Sequence, residues 1–168
     1  MPLTLSKVHH VGILVSDFDR SLAFYSKLLG KEPKINTVVE NISEFDRQVE
    51  AQGARARVAF FDVDNTSVEL IEFVQPKEPR ASDGDVPHVA GHKHLCFFVD
   101  DCRAAYDEMK ADGYTFIAEP CNFADRNPDL KNVTFAYFRD PDGNVLEILE
   151  DPNQKGLLSK AADAVGLS

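Results

Sequence analysis

An internal repeat is the feature that most constrains how this chain folds. A histidine opens an apolar, strand-favouring run at His10 and again at His94, and an aspartate follows seven positions later in each copy, at Asp17 and Asp101. A pattern typical of a helix begins at each aspartate. The chain therefore reads as one structural unit written twice.

The two copies also end alike. Each closes with a run of apolar residues around a central glutamate, Glu69 in the first copy and Glu147 in the second. If the copies fold alike, a pseudo-twofold rotation pairs His10 with His94 and Glu69 with Glu147. Two imidazoles and two carboxylates that meet between the copies would form a metal site.

Each copy is predicted to contain a strand, a helix and then three strands. In the first copy these elements fall at residues 7–15, 17–29, 31–39, 55–63 and 66–74. In the second copy they fall at residues 91–99, 101–111, 114–118, 133–138 and 144–150. The polar segment 40–54 of the first copy has room for a short helix, and it is either a lid or a plain surface connection.

Neither copy can close a barrel alone, so its sheet must bury one face against the other copy, within the chain or across a dimer. We therefore expect one α+β domain over residues 1–150. Within it, module one spans residues 7–75, a linker rich in proline and charge spans 76–90, and module two spans 91–150. Residues 151–168 are expected to form a tail with a short helix.

Charge and cysteine content exclude several classes of protein. The formal net charge of −10 argues against nucleic acid as a partner, because phosphates demand a basic face. The apolar runs are only strand-length and the N-terminus does not resemble a signal peptide, so no membrane association is expected and a cytoplasmic protein is predicted. The three cysteines, Cys96, Cys102 and Cys121, have no metal-finger spacing and are expected to be reduced, structural thiols.

Taken singly, the histidines and glutamates leave other interpretations open. His10 is the one polar residue on the strand face that it shares with Val8, Gly12 and Leu14, and such a histidine is often a hydrogen-bonded core residue. Glu69 lies in mid-strand, where a carboxylate is paired, binds a cation or faces water.

The whole pattern resembles the vicinal oxygen chelate superfamily. That superfamily includes glyoxalase I, methylmalonyl-CoA epimerase, extradiol dioxygenases, and fosfomycin and bleomycin resistance proteins. The resemblance covers roughly Lys7 to Glu150 and rests on residues 10–13, 21–25, 28–30, 68–70, 94, 99–101 and 139–147.

This resemblance implies two βαβββ modules whose cupped, mixed sheets hold one divalent transition metal, either Zn, Ni, Co, Mn or Fe. Carried over position by position, the metal ligands would be His10, Glu69, His94 and Glu147. It also implies a small-molecule substrate, and we expect a homodimer.

The implied chemistry is proton transfer next to a chelated carbonyl. A metal that binds a substrate carbonyl and a neighbouring hydroxyl stabilises the enediolate that forms when a proton leaves. In glyoxalase-type members the last glutamate takes that proton, which here would be Glu147, with Glu69 as partner ligand or second base. The expected activity is that of a glyoxalase I-like lyase or isomerase, or of an epimerase that acts on a sugar-type or cyclitol-type ketone.

Two other branches of the superfamily are alternatives. Extradiol dioxygenases typically use two histidines and one glutamate on a longer chain, and bleomycin-binding members generally lack the metal ligands. Methylmalonyl-CoA epimerase usually has glutamine where this chain has Glu69.

Candidates for the substrate wall are Arg57, Phe60, Phe123, Tyr137 and Arg139.

Overall fold

The computed structural model describes residues 8–77, 94–123 and 130–152. The chain divides into two compact units, Met1–Asp83 and Gly84–Ser168. Most of the predicted linker and the predicted tail helix lie outside the described residues. No helix in the described ranges has the length and hydrophobicity that a membrane span requires.

The first unit is a mixed sheet of four strands with two helices. Its elements are β1 (His10–Leu14), α1 (Phe18–Leu29), β2 (Ile35–Glu40), α2 (Ser43–Gln48), β3 (Arg55–Val63) and β4 (Thr66–Gln75). The strand order is β1-β4-β3-β2, with β1 parallel to β4 and the other pairs antiparallel. Strands β3 and β4 form a hairpin, since Val63 pairs with Thr66 across Asp64 and Asn65.

Helix α1 follows directly from its local sequence. Asp17 is the N-cap, and its carboxylate accepts a hydrogen bond of 3.0 Å from the backbone N–H of Arg20. Gly30 ends the helix in the left-handed conformation at φ 63°, which glycine adopts without strain. The helix buries Phe18 and Tyr25 in the core.

Two local features shape the rest of the first unit. Strand β2 begins at Ile35 rather than at the predicted Lys31, and Pro33 explains the delay because proline has no N–H to donate to a ladder. In the polar segment 40–54, the Asp46 carboxylate accepts the backbone N–H groups of Gly53 and Ala54 at 2.7 and 2.9 Å. The described segment is thus held together by its own hydrogen bonds.

The second unit has the same order of a strand, a helix and further strands, but the strands that follow its main helix are shorter. Its elements are β5 (His94–Phe98), α3 (Cys102–Ala111), β6 (Thr115–Phe116), β7 (Cys121–Asn122), β8 (Thr134–Arg139) and β9 (Val145–Glu150). The strand order is β5-β9-β8-β6, β7 also pairs with β8, and β5 is parallel to β9. The predicted strand at residues 114–118 is reduced to the two residues of β6. The α+β class predicted from the repeat is confirmed.

The ends of the elements in the second unit are fixed by carboxylates. Asp101 caps α3 by accepting the N–H of Ala104 at 2.9 Å, as Asp17 does in the first unit. Before β9, the carboxylate of Asp140 accepts the backbone N–H groups of Asp142 and Asn144 at 2.9 and 2.8 Å, which closes the turn between β8 and β9.

Candidate functional site

In the first unit, β1 and β4 bring the predicted ligands His10 and Glu69 together. Side chains alternate along a strand, so His10, Gly12 and Leu14 share one face of β1. The parallel register places Gly12 opposite Glu69. From that position the Oε2 atom of Glu69 lies 3.3 Å from the Nε2 atom of His10. We call these two residues the first pair.

Two neighbours orient the first pair. The Nδ1 atom of His9 lies 2.8 Å from the Nδ1 atom of His10, which occupies that ring nitrogen and leaves Nε2 for Glu69. The ring of Phe60 packs edge-on against the His10 ring at a centroid distance of 5.5 Å. Burial raises the pKa of Glu69, and the nearby His10 and His9 act in the opposite direction.

In the second unit, β5 and β9 bring His94 and Glu147 together in the same way. The Nε2 atom of His94 lies 3.1 Å from the Oε2 atom of Glu147. Glu147 is only 6% exposed, so its carboxylate needs polar partners. The ring of Tyr137 lies 5.2 Å from the His94 ring, and Tyr137 is also the cross-strand neighbour of Glu147. We call His94 and Glu147 the second pair.

The two pairs have the same register in their sheets. Each glutamate lies opposite the residue two positions after the histidine, which is Gly12 in the first unit and Cys96 in the second. On its other side each glutamate has an aromatic neighbour, Phe60 in the first unit and Tyr137 in the second. The internal repeat thus extends to side-chain positions around the pairs, while the residue types at these positions differ.

Cys96 is the residue near the pairs that the sequence interpretation missed. It was expected to be a structural thiol, yet it lies directly opposite Glu147 in the parallel pairing of β5 and β9. Cys96 is exposed at the strand surface, but desolvation of the thiol and then the charge of Glu147 raise its pKa to about 12. The available signal was its spacing, since a residue two positions from His94 must share that face of the strand.

Gly12 allows a close approach to Glu69 in the first unit. A Cβ atom at Gly12 would lie 3.4 Å from the Oε2 atom of Glu69 and 3.7 Å from the Cδ1 atom of Ile71. These are van der Waals contact distances. A side chain larger than alanine at this position would therefore meet the carboxylate.

The predicted wall residues divide into those near the pairs and those engaged elsewhere. Phe60 and Tyr137 contact the histidines, as described above. Phe123 stacks on Phe135 at 5.4 Å, and Phe135 packs against Tyr137 at 5.3 Å, so an aromatic row extends along this face of the second unit. The guanidinium of Arg139 donates to the carbonyl oxygen of Gly143 at 2.6 Å, which holds the turn before β9.

Arg57 lies on the other face of its sheet. Residues three apart in a strand point to opposite sides, so Arg57 cannot share a face with Phe60. Its guanidinium forms two hydrogen bonds of 2.6 and 3.0 Å with Asp19 and lies 4.2 Å above the Phe18 ring. Arg57 therefore links α1 to the sheet and is not available to a substrate beside Glu69.

The donor atoms in the two pairs suit a divalent transition metal. Imidazole nitrogen and carboxylate oxygen are the ligands that Zn and its neighbours in the first transition row accept. In each pair the histidine is exposed on its own strand, and its Nε2 atom faces a carboxylate oxygen of the glutamate. Within the described residues, neither unit by itself gathers three His, Cys, Asp or Glu side chains into a cluster. The set of four ligands remains a prediction.

The two units define an α+β protein in which the same His and Glu positions recur. Residues 7–148 match the family model of the Glyoxalase/Bleomycin resistance protein/Dioxygenase superfamily, and the chain belongs to this superfamily. The resemblance found in the sequence is thereby confirmed.

Characterised relatives include two epimerases. The chain is 29% identical over 153 residues to 2-epi-5-epi-valiolone epimerase from Actinomyces sp, covering 86% of this chain and 79% of that protein. It is 26% identical over 144 residues to human mitochondrial methylmalonyl-CoA epimerase, covering 86% of this chain and 73% of that protein. Among solved structures, a glyoxalase family protein from Bacillus cereus has a TM-score of 0.74 at 16% identity, covering 89% of this chain and 96% of that one.

Proposed function

We propose that this protein is a metal-dependent epimerase that moves a proton at a carbon next to a carbonyl group. The observation that carries the proposal is the recurrence of one His–Glu pair in the same register in both units. Two carboxylates of this kind suit epimerisation, because a proton must leave one face of the carbon and return to the other. The epimerases among the relatives support the same choice.

His10, Glu69, His94 and Glu147 would hold the metal. A divalent cation bound there would act as a Lewis acid on the substrate carbonyl and make the adjacent C–H more acidic. The imidazoles stay as fixed ligands, since His9 holds the ring of His10 and Tyr137 packs against the ring of His94. The carboxylates are the groups in the set that can take up and return a proton near neutral pH.

The two carboxylates have distinct tasks in this proposal. Glu147 removes the proton from one epimer, and Glu69 serves the opposite face as the second base. For the reverse reaction their tasks exchange.

The proposed substrate is a small molecule with neighbouring oxygen atoms, preferably a cyclitol or sugar ketone. The epimerase relative that acts on an epi-valiolone supports this class. The formal charge of −10 also favours a neutral polyol over a polyanion. We propose in addition that the protein is a homodimer, which size-exclusion chromatography with light scattering tests directly.

Metal content is the first experiment. Wild type and His94→Ala are purified without chelator and without a nickel-leaching tag, and metals are counted by inductively coupled plasma mass spectrometry. We expect close to one transition metal per chain in the wild type and its loss in the variant. Glu119→Gln is the control, because Glu119 is a largely exposed carboxylate outside both pairs; it should retain metal.

Activity is tested by incubating cyclitol and sugar ketones in D₂O with the loaded protein. Epimerisation would introduce deuterium at the inverted carbon and would produce the second diastereomer, both of which NMR detects. Conversion of a hemithioacetal to a thioester would instead identify glyoxalase-type isomerisation. Metal-loaded protein that binds these ketones without exchanging their hydrogen would refute the proposal and favour a binding protein.

A further inference from the structure

We propose that Phe45 of α2 is a specificity-determining residue that closes one end of the substrate site in the first unit. Stacked on Phe73, it limits how far a substrate bound at Glu69 extends along β4. The segment 40–54 is then a wall of the site. This inference deepens the proposed function and rests on it for the position of the substrate.

The first step of the argument is the sheet face on which Glu69 lies. Side chains alternate along β4, so Glu69, Ile71 and Phe73 share one face. The residues between them, Leu70 and Glu72, are buried on the opposite face. The pairing with β3 runs without a shift from Glu69 to Phe73, so the alternation is unbroken. We call the face that carries Glu69, Ile71 and Phe73 the Glu69 face.

The second step is the contact at the far end of the Glu69 face. The ring of Phe45 stacks on the ring of Phe73 at a centroid distance of 6.2 Å, and the two ring planes are 10° apart. Helix α2 therefore covers this end of the Glu69 face. At about 3.3 Å per residue, the backbone of Phe73 lies about 13 Å along the strand from that of Glu69.

The third step is the surface between the carboxylate and the aromatic pair. A Cβ atom at Gly12 would lie 3.4 Å from the Oε2 atom of Glu69 and 3.7 Å from the Cδ1 atom of Ile71, so the Ile71 side chain borders the same space as the carboxylate. The face thus changes from polar at Glu69 to apolar at Ile71. A ring ketone whose oxygen atoms lie at Glu69 would place its other carbon atoms over Ile71, and a longer group would meet Phe45.

The fourth step is the set of contacts that hold Phe45 in place. The carboxylate of its neighbour Asp46 accepts the backbone N–H groups of Gly53 and Ala54 at 2.7 and 2.9 Å, just before β3. Glu50 is in the left-handed conformation at φ 54°, which glutamate rarely adopts and which surrounding contacts must maintain. The connection from α2 to β3 is therefore fixed, and Phe45 with it.

The first test measures how the length of a metal-chelating probe affects its binding. Hydroxamates bind a divalent cation through two neighbouring oxygen atoms, as the proposed substrate would. Acetohydroxamate ends close to the metal, whereas 4-phenylbenzohydroxamate carries two rings in line. The affinities of both probes for the Zn²⁺-loaded protein are measured by isothermal titration calorimetry in wild type and in Phe45→Ala.

We expect Phe45→Ala to bind the two-ring probe about 10-fold more tightly or better, since a steric stop is removed, and to bind acetohydroxamate as wild type does. Phe24→Ala is the matched control, because it makes the same change in α1, which packs on the opposite face of the sheet; it should leave both affinities unchanged. A two-ring probe that gains no affinity in Phe45→Ala, or that loses affinity, would overturn the inference.

The second test needs no metal and no activity. The chain contains no tryptophan, so Phe45→Trp introduces a single fluorescent reporter. If this position packs on Phe73, emission from the metal-free protein should lie at shorter wavelength than emission from the same protein unfolded in urea. Adding Phe73→Ala should move the emission towards the unfolded position. Emission that matches the unfolded protein, or that ignores Phe73→Ala, would overturn the inference.

Together the two tests separate this inference from the proposed function. A protein that binds no Zn²⁺ would refute the proposed function, and a shifted tryptophan emission would still support the closure of the Glu69 face by Phe45. A protein that binds Zn²⁺ and both hydroxamates equally well in wild type and Phe45→Ala would refute only the inference.

Discussion

Replacing one glutamate at a time with glutamine should abolish proton exchange from only one of the two epimers. With two bases on opposite faces of the carbon, each epimer presents its hydrogen to a different carboxylate. Glu147→Gln should stop hydrogen exchange from the epimer that Glu147 serves, while Glu69 still exchanges hydrogen from the other. Glu69→Gln should show the reverse pattern. Net epimerisation should fall in both variants.

The structure indicates that both variants fold. Glutamine keeps the shape of glutamate and an oxygen that accepts a hydrogen bond, but the contacts of 3.3 Å to His10 and 3.1 Å to His94 lose a charged acceptor. Charge-assisted hydrogen bonds contribute about 1.5–3 kcal/mol and neutral ones about 0.5–1.5, so we expect a loss of about 1 kcal/mol in unfolding free energy. The unfolding free energy of a native protein is about 5–15 kcal/mol.

The effect on rate should be much larger than the effect on stability. A positioned general base typically raises the reaction rate by about 10²-fold to 10⁴-fold. At 1.36 kcal/mol for each factor of ten, this corresponds to about 3 to 5 kcal/mol in the activation free energy. A loss of activity of that size with only a small loss of stability would place the defect in the chemistry.

The assay uses each epimer separately in D₂O, with NMR reading deuterium incorporation in the substrate that remains. Urea unfolding of the same samples measures stability. Glu119→Gln is the control, because Glu119 is largely exposed, lies outside both pairs and forms a long ion pair with Arg103. Loss of exchange from both epimers in one variant, with the other variant unaffected, would indicate a single base and refute the two-base reasoning.

Three further predictions concern the fold. Asp17→Ala and Asp101→Ala should each lower the unfolding free energy by about 1 kcal/mol, and asparagine at either position should restore most of it, as urea unfolding would show. Cys102 should resist alkylation at pH 8 in the native protein while the exposed Cys121 reacts, because burial raises the pKa of Cys102 to about 11; peptide mass spectrometry would show the difference. Arg57→Met should destabilise the protein at neutral pH without changing its metal content. The hydrogen bond from Arg57 holds the pKa of Asp19 below its usual 3.8. The contribution of this bond to the unfolding free energy is therefore present above pH 3.8 and is lost as the pH falls through the lowered pKa. Stabilities of wild type and variant measured from neutral to strongly acidic pH should therefore converge, and a constant gap would contradict this account.

Much of the site followed from local rules. The spacing from histidine to aspartate fixed where both helices begin, because an aspartate N-cap acts on N–H groups only two or three residues away. Alternation along a strand placed His10 with Gly12 and His94 with Cys96. The same rule already separated Arg57 from Phe60, although both were taken as wall candidates.

The sequence by itself thus determined the repeat, the helix starts, the α+β class and the faces that carry the histidines and glutamates. Only the tertiary structure decided that Gly12 lies opposite Glu69 and Cys96 opposite Glu147. It also placed the His9 ring against His10. The physical reason is that pairing β1 with β4, or β5 with β9, joins residues about fifty apart in the chain, and the register comes from packing of whole strands rather than from any local pattern.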